Sequence, residues 1–253
     1  MFGLQDRHVV ISGAGGGIGR ALVAAFKAAG ARVTACDRDA QMLSALDGVE
    51  TACFELTDRA AVDAAAAAIL ARSGAPDVVV GNAGWTRAEA MNAVTPAAWD
   101  DEIAVNLTGS FNLVAPLLPA MVAAGGGSIV FISSVNALAH YGNPAYSAAK
   151  AGLNGYARSL AVEMGRSGIR ANVVCPGSVR TPAWDHRLEK DPGLLAEVSK
   201  HYPLGRIVVP EEVAKAVLFL ASPLASGITG VALPVDAGLM AGNMRFVSEI
   251  IGG

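Results

Sequence analysis

Charge is scarce in this 253-residue chain. Asp, Glu, Lys and Arg make up only 16% of it, and 22 acidic against 19 basic residues leave a formal net charge of −3. With no basic block or stripe, the sequence carries no electrostatic footprint for nucleic acid and none for an anionic membrane surface. Cysteine is scarcer still. Cys36, Cys53 and Cys175 are three, an odd number, and lie far apart. They offer neither a disulfide framework nor the spacing of a metal site, so no metal is expected and three thiols in a reducing compartment are. Also missing is an uninterrupted apolar run of the ~18 residues a membrane span needs. The N-terminal MFGLQDRHVVISGAG has no charged stretch followed by an apolar signal segment. The expectation is a cytoplasmic protein with no nucleic-acid and no membrane partner.

Apolar residues are plentiful, at 53% of the chain, enough for a sizeable core. Short apolar runs alternate with longer helical patterns. His8–Ser12 is a β-branched run ending in glycines, 17–29 reads as a helix closed by Gly30, and 31–36 is a second strand. A helix over 59–72 precedes a strand over 76–81. A long helical segment covers 96–124, followed by a strand over 127–133, a helix over 145–166 and a strand over 170–175. A helix over 211–220 and a strand over 230–235 complete the pattern. Strands alternating with helices predict an α/β fold, a Rossmann-like doubly wound parallel sheet with helices on both faces. The strands are almost wholly apolar, as sheets covered on both faces require. No linker or repeat interrupts this rhythm, so residues 1–253 read as one domain. Residues 181–209 break it with Pro182, Pro192 and Pro203, among Trp184, His186 and His201. They form either a lid or substrate loop or a solvated connection with a small helix.

Ser12-Gly13-Ala14-Gly15-Gly16-Gly17-Ile18-Gly19 follows the first strand and opens the first helix. Glycines allow positive φ and let backbone approach a diphosphate with no Cβ in the way, and the helix N-terminus presents free N–H groups to that anion. The strand–turn–helix setting is the context this motif needs. Asp37 ends the next strand. A carboxylate there can accept both hydroxyls of an adenosine ribose and would repel a 2′-phosphate, favouring NAD over NADP. Arg38 beside it could instead pair with a 2′-phosphate.

Tyr146 and Lys150 are four apart in a helical pattern and share a face. A free tyrosine titrates near ~10, too high for a base at neutral pH, and a nearby ammonium favours the phenolate by ~1–3 units. Tyr141 and Tyr156 have no lysine four residues on. Ser134, at the end of the preceding strand, could hold a substrate oxygen beside the tyrosine; Ser133 and Ser147 are its rivals. Neither Ser133 nor Ser134 is flanked by the glycines of a hydrolase nucleophile elbow.

These residues, taken in order with Asn82-Ala83-Gly84, Asn106, Pro176-Gly177 and Thr181, resemble the short-chain dehydrogenase/reductase family of the compact, single-domain type. The resemblance covers almost the whole chain. It implies that Tyr146 gives or takes the proton, that Lys150 binds the nicotinamide ribose and depresses the tyrosine pKa, and that Ser134 orients the substrate oxygen. It implies that Asn106 holds a water through its backbone and extends a proton relay. Gly13, Gly17, Ile18, Gly19, Asp37, Arg38, Asn82, Ala83 and Gly84 would bind the cofactor, with Pro176, Gly177, Val179 and Thr181 on its nicotinamide side. Three departures stand out. Glu55-Leu56 replaces an acidic pair that usually carries Asp at the adenine side. The step from Ser134 to Tyr146 is one residue short, which would tighten the loop between them. Gly81 replaces the usual Asn before Asn82.

The loop from Val135 to Ala145 contains Asn136, Leu138, His140, Tyr141 and Asn143, mixing apolar and hydrogen-bonding groups. Asn136, His140 and Trp184 are the candidate substrate contacts, with Ser134 and Tyr146. No Arg or Lys cluster marks a site for a phosphorylated substrate. A polyol, sugar or small cyclic alcohol is expected, oxidised with NAD. The alternatives are an NADPH-dependent 3-oxoacyl thioester reductase and a nucleotide-binding regulator without turnover. Similar proteins are commonly homotetramers. The apolar tail, with Met240, Met244, Phe246, Val247, Ile250 and Ile251, packs either on its own subunit or on a neighbour.

Overall fold

Val9, Val10 and Ile11 are consecutive, β-branched and fully buried in the first strand, β1 (His8–Ser12). Branching at Cβ suits an extended chain, and a strand covered on both faces needs no polar side. The computed structural model describes residues 2–87 and 90–252, apart from the side chains of Ala183, His186 and Arg187. After β1 come α1 (Gly17–Ala28), β2 (Arg32–Asp37), α2 (Ala40–Ser44), β3 (Glu50–Cys53), α3 (Arg59–Ser73) and β4 (Val78–Gly81). Helical segments α4 (Pro96–Ile103), α5 (Gly109–Val114) and α6 (Leu118–Ala123) lead to β5 (Gly127–Ile132). Then follow α7 (Pro144–Met164), β6 (Ile169–Pro176), α8 (Ala183–Lys190), α9 (Leu194–Ser199), α10 (Pro210–Ala221) and β7 (Ala232–Val235).

The seven strands form one parallel sheet in the order β3-β2-β1-β4-β5-β6-β7. In register, Ile11 of β1 lies between Ala35 of β2 and Val80 of β4. The chain winds outward to β3 and then crosses back to β4, so the order reverses between β1 and β4. Ligands of open α/β sheets bind in the crevice at the carboxyl ends of such neighbouring strands. The Rossmann-like doubly wound parallel sheet expected from the sequence is the fold. Two hydrophobic layers hold it. One packs Leu22 and Phe26 of α1 and Val213 and Val217 of α10 onto the sheet. The other packs Ile69 of α3, Leu113 of α5 and Leu153 of α7 onto the opposite face.

Three features differ from the sequence expectation. The strand β3 and the short helix α2 fall where no element was expected. Glu50–Cys53 lies at the sheet edge and is half exposed, so it lacks the apolar run of a central strand. The segment expected as one helix over 96–124 is broken. A π turn at Ala104–Thr108 separates α4 from α5, and residues 115–117 separate α5 from α6. By length and composition Pro96–Ala123 is apolar enough to cross a membrane. Here it packs against α7, and its Asn106, Ser110 and Asn112 are buried and hydrogen-bonded within the protein. Finally, residues 181–209 contain two helices, α8 and α9, rather than one small one.

Candidate active site

The turn after β1 is held by groups from the turn after β4. The Ser12 hydroxyl accepts the backbone N–H groups of Asn82 and Ala83, both at 3.1 Å. The Asn82 amide donates to the carbonyls of Ser12 (3.0 Å) and Gly13 (2.9 Å). Gly13 takes φ +61°, and a Cβ there would come within 2.8 Å of Ala83 Cα. Only glycine permits both the left-handed turn and this approach. Helix α1 starts at Gly17 with no side-chain cap and no acidic residue in its first turn. Its leading N–H groups therefore remain available to an anion. Gly13, Gly17, Ile18 and Gly19 line a groove of about 400 Å³ with Asn82, Ala83 and Gly84. An uncapped helix start beside a cradle without Cβ atoms fits a dinucleotide diphosphate.

At the other end of the groove, Asp37 Oδ2 accepts the Gly15 N–H (2.9 Å) and Oδ1 accepts the Asp39 N–H (3.1 Å). The Arg38 guanidinium lies 3.5 Å from Glu55. Glu55 and Leu56 line the groove wall beside Phe54. Glu55 therefore answers Arg38, a partnership the sequence reading did not make. Thr181 lines the same groove. Val179 instead forms a bridge with Val208, Pro176 is buried at the end of β6, and Gly177 lines a second pocket.

Helix α7 places Tyr146 and Lys150 one turn apart, beside Ser134 at the end of β5. Lys150 is buried, and its Nζ donates to the Ile132 carbonyl (2.8 Å). Burial pushes the Tyr146 phenol up to about 12, against a hydrogen bond from Ser134 that lowers it. Burial pulls the Lys150 ammonium down to about 8. Lys150 Nζ stands over the Tyr146 ring, 5.5 Å from its centre. Ser133 donates to the Lys150 carbonyl (3.1 Å) and Ser147 to the Gly142 carbonyl (3.0 Å), whereas the Ser134 hydroxyl reaches the Asn136 side chain (3.3 Å) on the wall of the second pocket. Asn106, in the π turn, is fully buried. Its side chain accepts the Trp85 N–H (3.1 Å) and donates to the Trp85 carbonyl (2.7 Å). A π turn leaves carbonyls without their usual helical donors and recurs at functional sites.

The second pocket, about 470 Å³, is lined by Ser134, Asn136, Tyr141, Asn143, Ser178 and Tyr202 among others. Gly142 (φ +83°) and Asn143 (φ +52°) are both left-handed, which makes the tight turn that a loop one residue short requires. Asn136 is partly spent on this turn, donating to the Gly142 carbonyl (2.9 Å), while its backbone N–H donates to Ser134 (3.2 Å). Two expected substrate contacts do not line this pocket. Trp184 is buried at 7% exposure within the hydrophobic layer of α1 and α10, and His140 is exposed beside the pocket rather than on its wall. The His186 side chain lies outside the described residues. Ser178 and Tyr202 were not foreseen. The Tyr202 hydroxyl accepts the Ser178 N–H (2.9 Å), a pairing across 24 residues that no local pattern signals.

The family model described as enoyl-(acyl carrier protein) reductase matches residues 13–240. A 3-oxoacyl-[acyl-carrier-protein] reductase of Thermotoga maritima is 37% identical over 94% of this chain and 99% of its own length. A D-threitol dehydrogenase of Mycolicibacterium smegmatis is 36% identical over 94% of both chains. The crystal structure of a short-chain dehydrogenase/reductase family oxidoreductase from Burkholderia thailandensis has a TM-score of 0.91 and 46% identity over 98% of both chains. The chain belongs to the short-chain dehydrogenase/reductase family. It is an oxidoreductase of the class that uses a nicotinamide cofactor, NAD or NADP.

Proposed function

We propose that this protein interconverts a neutral secondary alcohol, such as a polyol, sugar or small cyclic alcohol, and its ketone with NAD(H). The observation that carries the reading is that residues of both cavities border the Tyr146–Lys150 pair. A Cβ on Gly84, on the wall of the cofactor groove, would lie 3.1 Å from Lys150 Nζ, and Ser134, whose hydroxyl lowers the Tyr146 phenol, lines the substrate pocket. The reacting alcohol carbon is thereby held between the nicotinamide side and the phenol. The cofactor, when bound, accepts or returns the hydride. Ser134 donates a hydrogen bond that fixes the substrate oxygen. Tyr146 takes the hydroxyl proton during oxidation and returns it during reduction, at its phenolic oxygen. Lys150 holds a positive charge on the groove side of that ring.

The choice of NAD rests on Asp37, whose carboxylate faces the groove end where a 2′-phosphate would bring like charge. Arg38 is drawn to Glu55, which offsets the attraction it would offer such a phosphate. The neutral substrate rests on the pocket wall, whose lining residues are all uncharged. The D-threitol dehydrogenase supports this substrate class. The Thermotoga maritima reductase and the description of the family model favour a second reading, NADPH-dependent reduction of a 3-oxoacyl thioester.

Purified protein offered polyols, sugars and cyclic alcohols with NAD and with NADP, and acetoacetyl thioesters with NADH and with NADPH, followed by absorbance of the reduced cofactor, separates these. Oxidation of a neutral alcohol with NAD supports the proposal. Turnover confined to acetoacetyl thioesters with NADPH overturns it.

A further inference from the structure

Glu102 lies in α4 at 4% exposure, and the chemistry above gives it no part. A carboxylate at that depth needs hydrogen-bond partners, and Glu102 finds them in two other segments of the site. Its Oε1 accepts the backbone N–H of Arg87 (2.8 Å) and its Oε2 accepts the Asn106 amide (3.0 Å). The Asn106 amide also binds the Glu102 carbonyl (2.9 Å). Trp85, two residues before Arg87, lines the cofactor groove. The Arg87 guanidinium turns outward to Asp101 (2.9 Å) and to the Trp85 ring.

We propose that Glu102 is a positioning residue of the active site. Its carboxylate ties the loop after β4 to the π turn that carries Asn106, whose Oδ1 and the Lys150 Nζ both close on Gly84, within 2.9 and 3.1 Å of where a Cβ would stand, and so brings the carboxylate to the side of the Tyr146–Lys150 pair. The inference rests on the reading of Tyr146 as the acid–base group.

Four elements contribute the groups around that pair. Ser134 comes from the end of β5, Cys175 from β6, Glu102 from α4, and Tyr146 and Lys150 from α7. Burial dominates both groups; beyond it, Glu102 and Cys175 each favour the protonated forms. Burial also pushes the Cys175 thiol up, so at neutral pH it carries no charge and Glu102 is the acting anion. The carboxylate therefore helps Lys150 stay charged and keeps Tyr146 a phenol, ready to donate. Removing the charge lowers both midpoints.

The test uses protein labelled with 13Cζ-tyrosine and titrated by NMR without added cofactor, Tyr146 being assigned by its loss in Tyr146→Phe. In Glu102→Gln the phenolate fraction of Tyr146 at a fixed alkaline pH below its midpoint should rise about threefold, the equivalent of about half a pH unit. Glu102→Asp, which keeps the charge, should stay near the wild-type fraction. In enzyme assays the pH midpoint of kcat/KM for oxidation should move down in the same variant. Glu102→Thr, smaller and neutral, serves if the glutamine variant does not fold, and it must show the same rise. An unchanged phenolate fraction in a folded neutral variant, or an equal rise in Glu102→Asp, overturns the proposal. So does failure of both neutral variants to fold while the aspartate variant folds, which would leave Glu102 a brace alone. Absence of turnover with any substrate would sink the functional reading while leaving this titration readable.

Discussion

Burial raises the Tyr146 phenol to about 12, against the Ser134 hydroxyl, which lowers it, and the Lys150 ammonium stands over its ring. Oxidation consumes a phenolate, so its rate should climb with pH, about tenfold per unit well below that midpoint. The climb should flatten above pH about 8, where Lys150 loses its charge. Reduction uses the phenol and should not rise over the same interval. Rate profiles in both directions check this, and an oxidation rate falling from pH 6 to 8 would contradict it. Tyr146→Phe should lose about 10²–10⁴-fold in kcat while still binding cofactor, measured by fluorescence quenching of the protein. At the far end of the groove, Asp37→Ser removes the charge that opposes a 2′-phosphate. Preference for NAD over NADP should fall by about 10-fold or more, since a hydrogen bond to a charged group contributes about 1.5–3 kcal/mol. The ratio of kcat/KM for the two cofactors measures it. The tyrosine and lysine were legible because a helix brings positions four apart together. Glu102 and Tyr202 were not, because their partners Arg87 and Ser178 come from other segments.

Among elements, the start of β1 carries a group whose titration bears on stability. His8 is buried, and its ring Nε2 lies 2.9 Å from the Thr34 hydroxyl of β2. Thr34 in turn donates to Glu50 of β3 (3.2 Å), so Nε2 carries the proton and Nδ1 is the bare nitrogen, buried without a partner. Protonating Nδ1 would place a charge in a buried site, a cost that the Gly74 backbone acceptor offsets only in part. Burial first, and Arg32 second, hold the His8 pKa below 6.5. As pH falls through 6.5, the unfolded chain takes up this proton before the folded one does. The contribution of His8 is thus complete above pH 6.5 and is lost below it, by at most about 1.4 kcal/mol per unit, down to the folded-state pKa. His8→Gln cannot titrate and can still reach Thr34. Its urea midpoint should change less between pH 7.5 and 5.5, roughly neutral to mildly acidic, than that of the wild type. Equal slopes would count against the assignment. This same edge shows where sequence reading stops. Thr34 and Glu50 bond across strands, and the polar, half-exposed Glu50–Cys53 has no local hydrophobic signature. The π turn at Ala104–Thr108 is equally silent, since its residues suit an ordinary helix.

For the whole molecule, the alternation of apolar runs and helical patterns was enough to foresee a doubly wound parallel sheet, but not which surfaces of it meet other chains. The tail leaves its apolar side chains open in this subunit. Phe246, Val247, Ile250 and Ile251 are 55%, 52%, 66% and 68% exposed, so this subunit does not bury them. They follow directly from the mouth of the substrate pocket, where Leu239 forms part of the wall and the Tyr141 hydroxyl lies 3.4 Å from Met240 Sδ. Phe111 on α5 and Val162 on the long helix α7 are also exposed. We propose that the protein is a homotetramer in which each tail seats on a neighbouring copy. Apolar side chains of this size favour burial by about 1.5–3 kcal/mol each. Replacing Phe246 and Ile250 together by serine should therefore weaken assembly by at least about 10-fold. Sedimentation velocity across a dilution series would show it as smaller species appearing at higher protein concentration. Because the tail leaves from the pocket mouth, the same variant should raise KM for the alcohol while leaving cofactor binding as it was. If assembly and KM both match the wild type, the tail is solvated and the tetramer, if formed, is held by other faces.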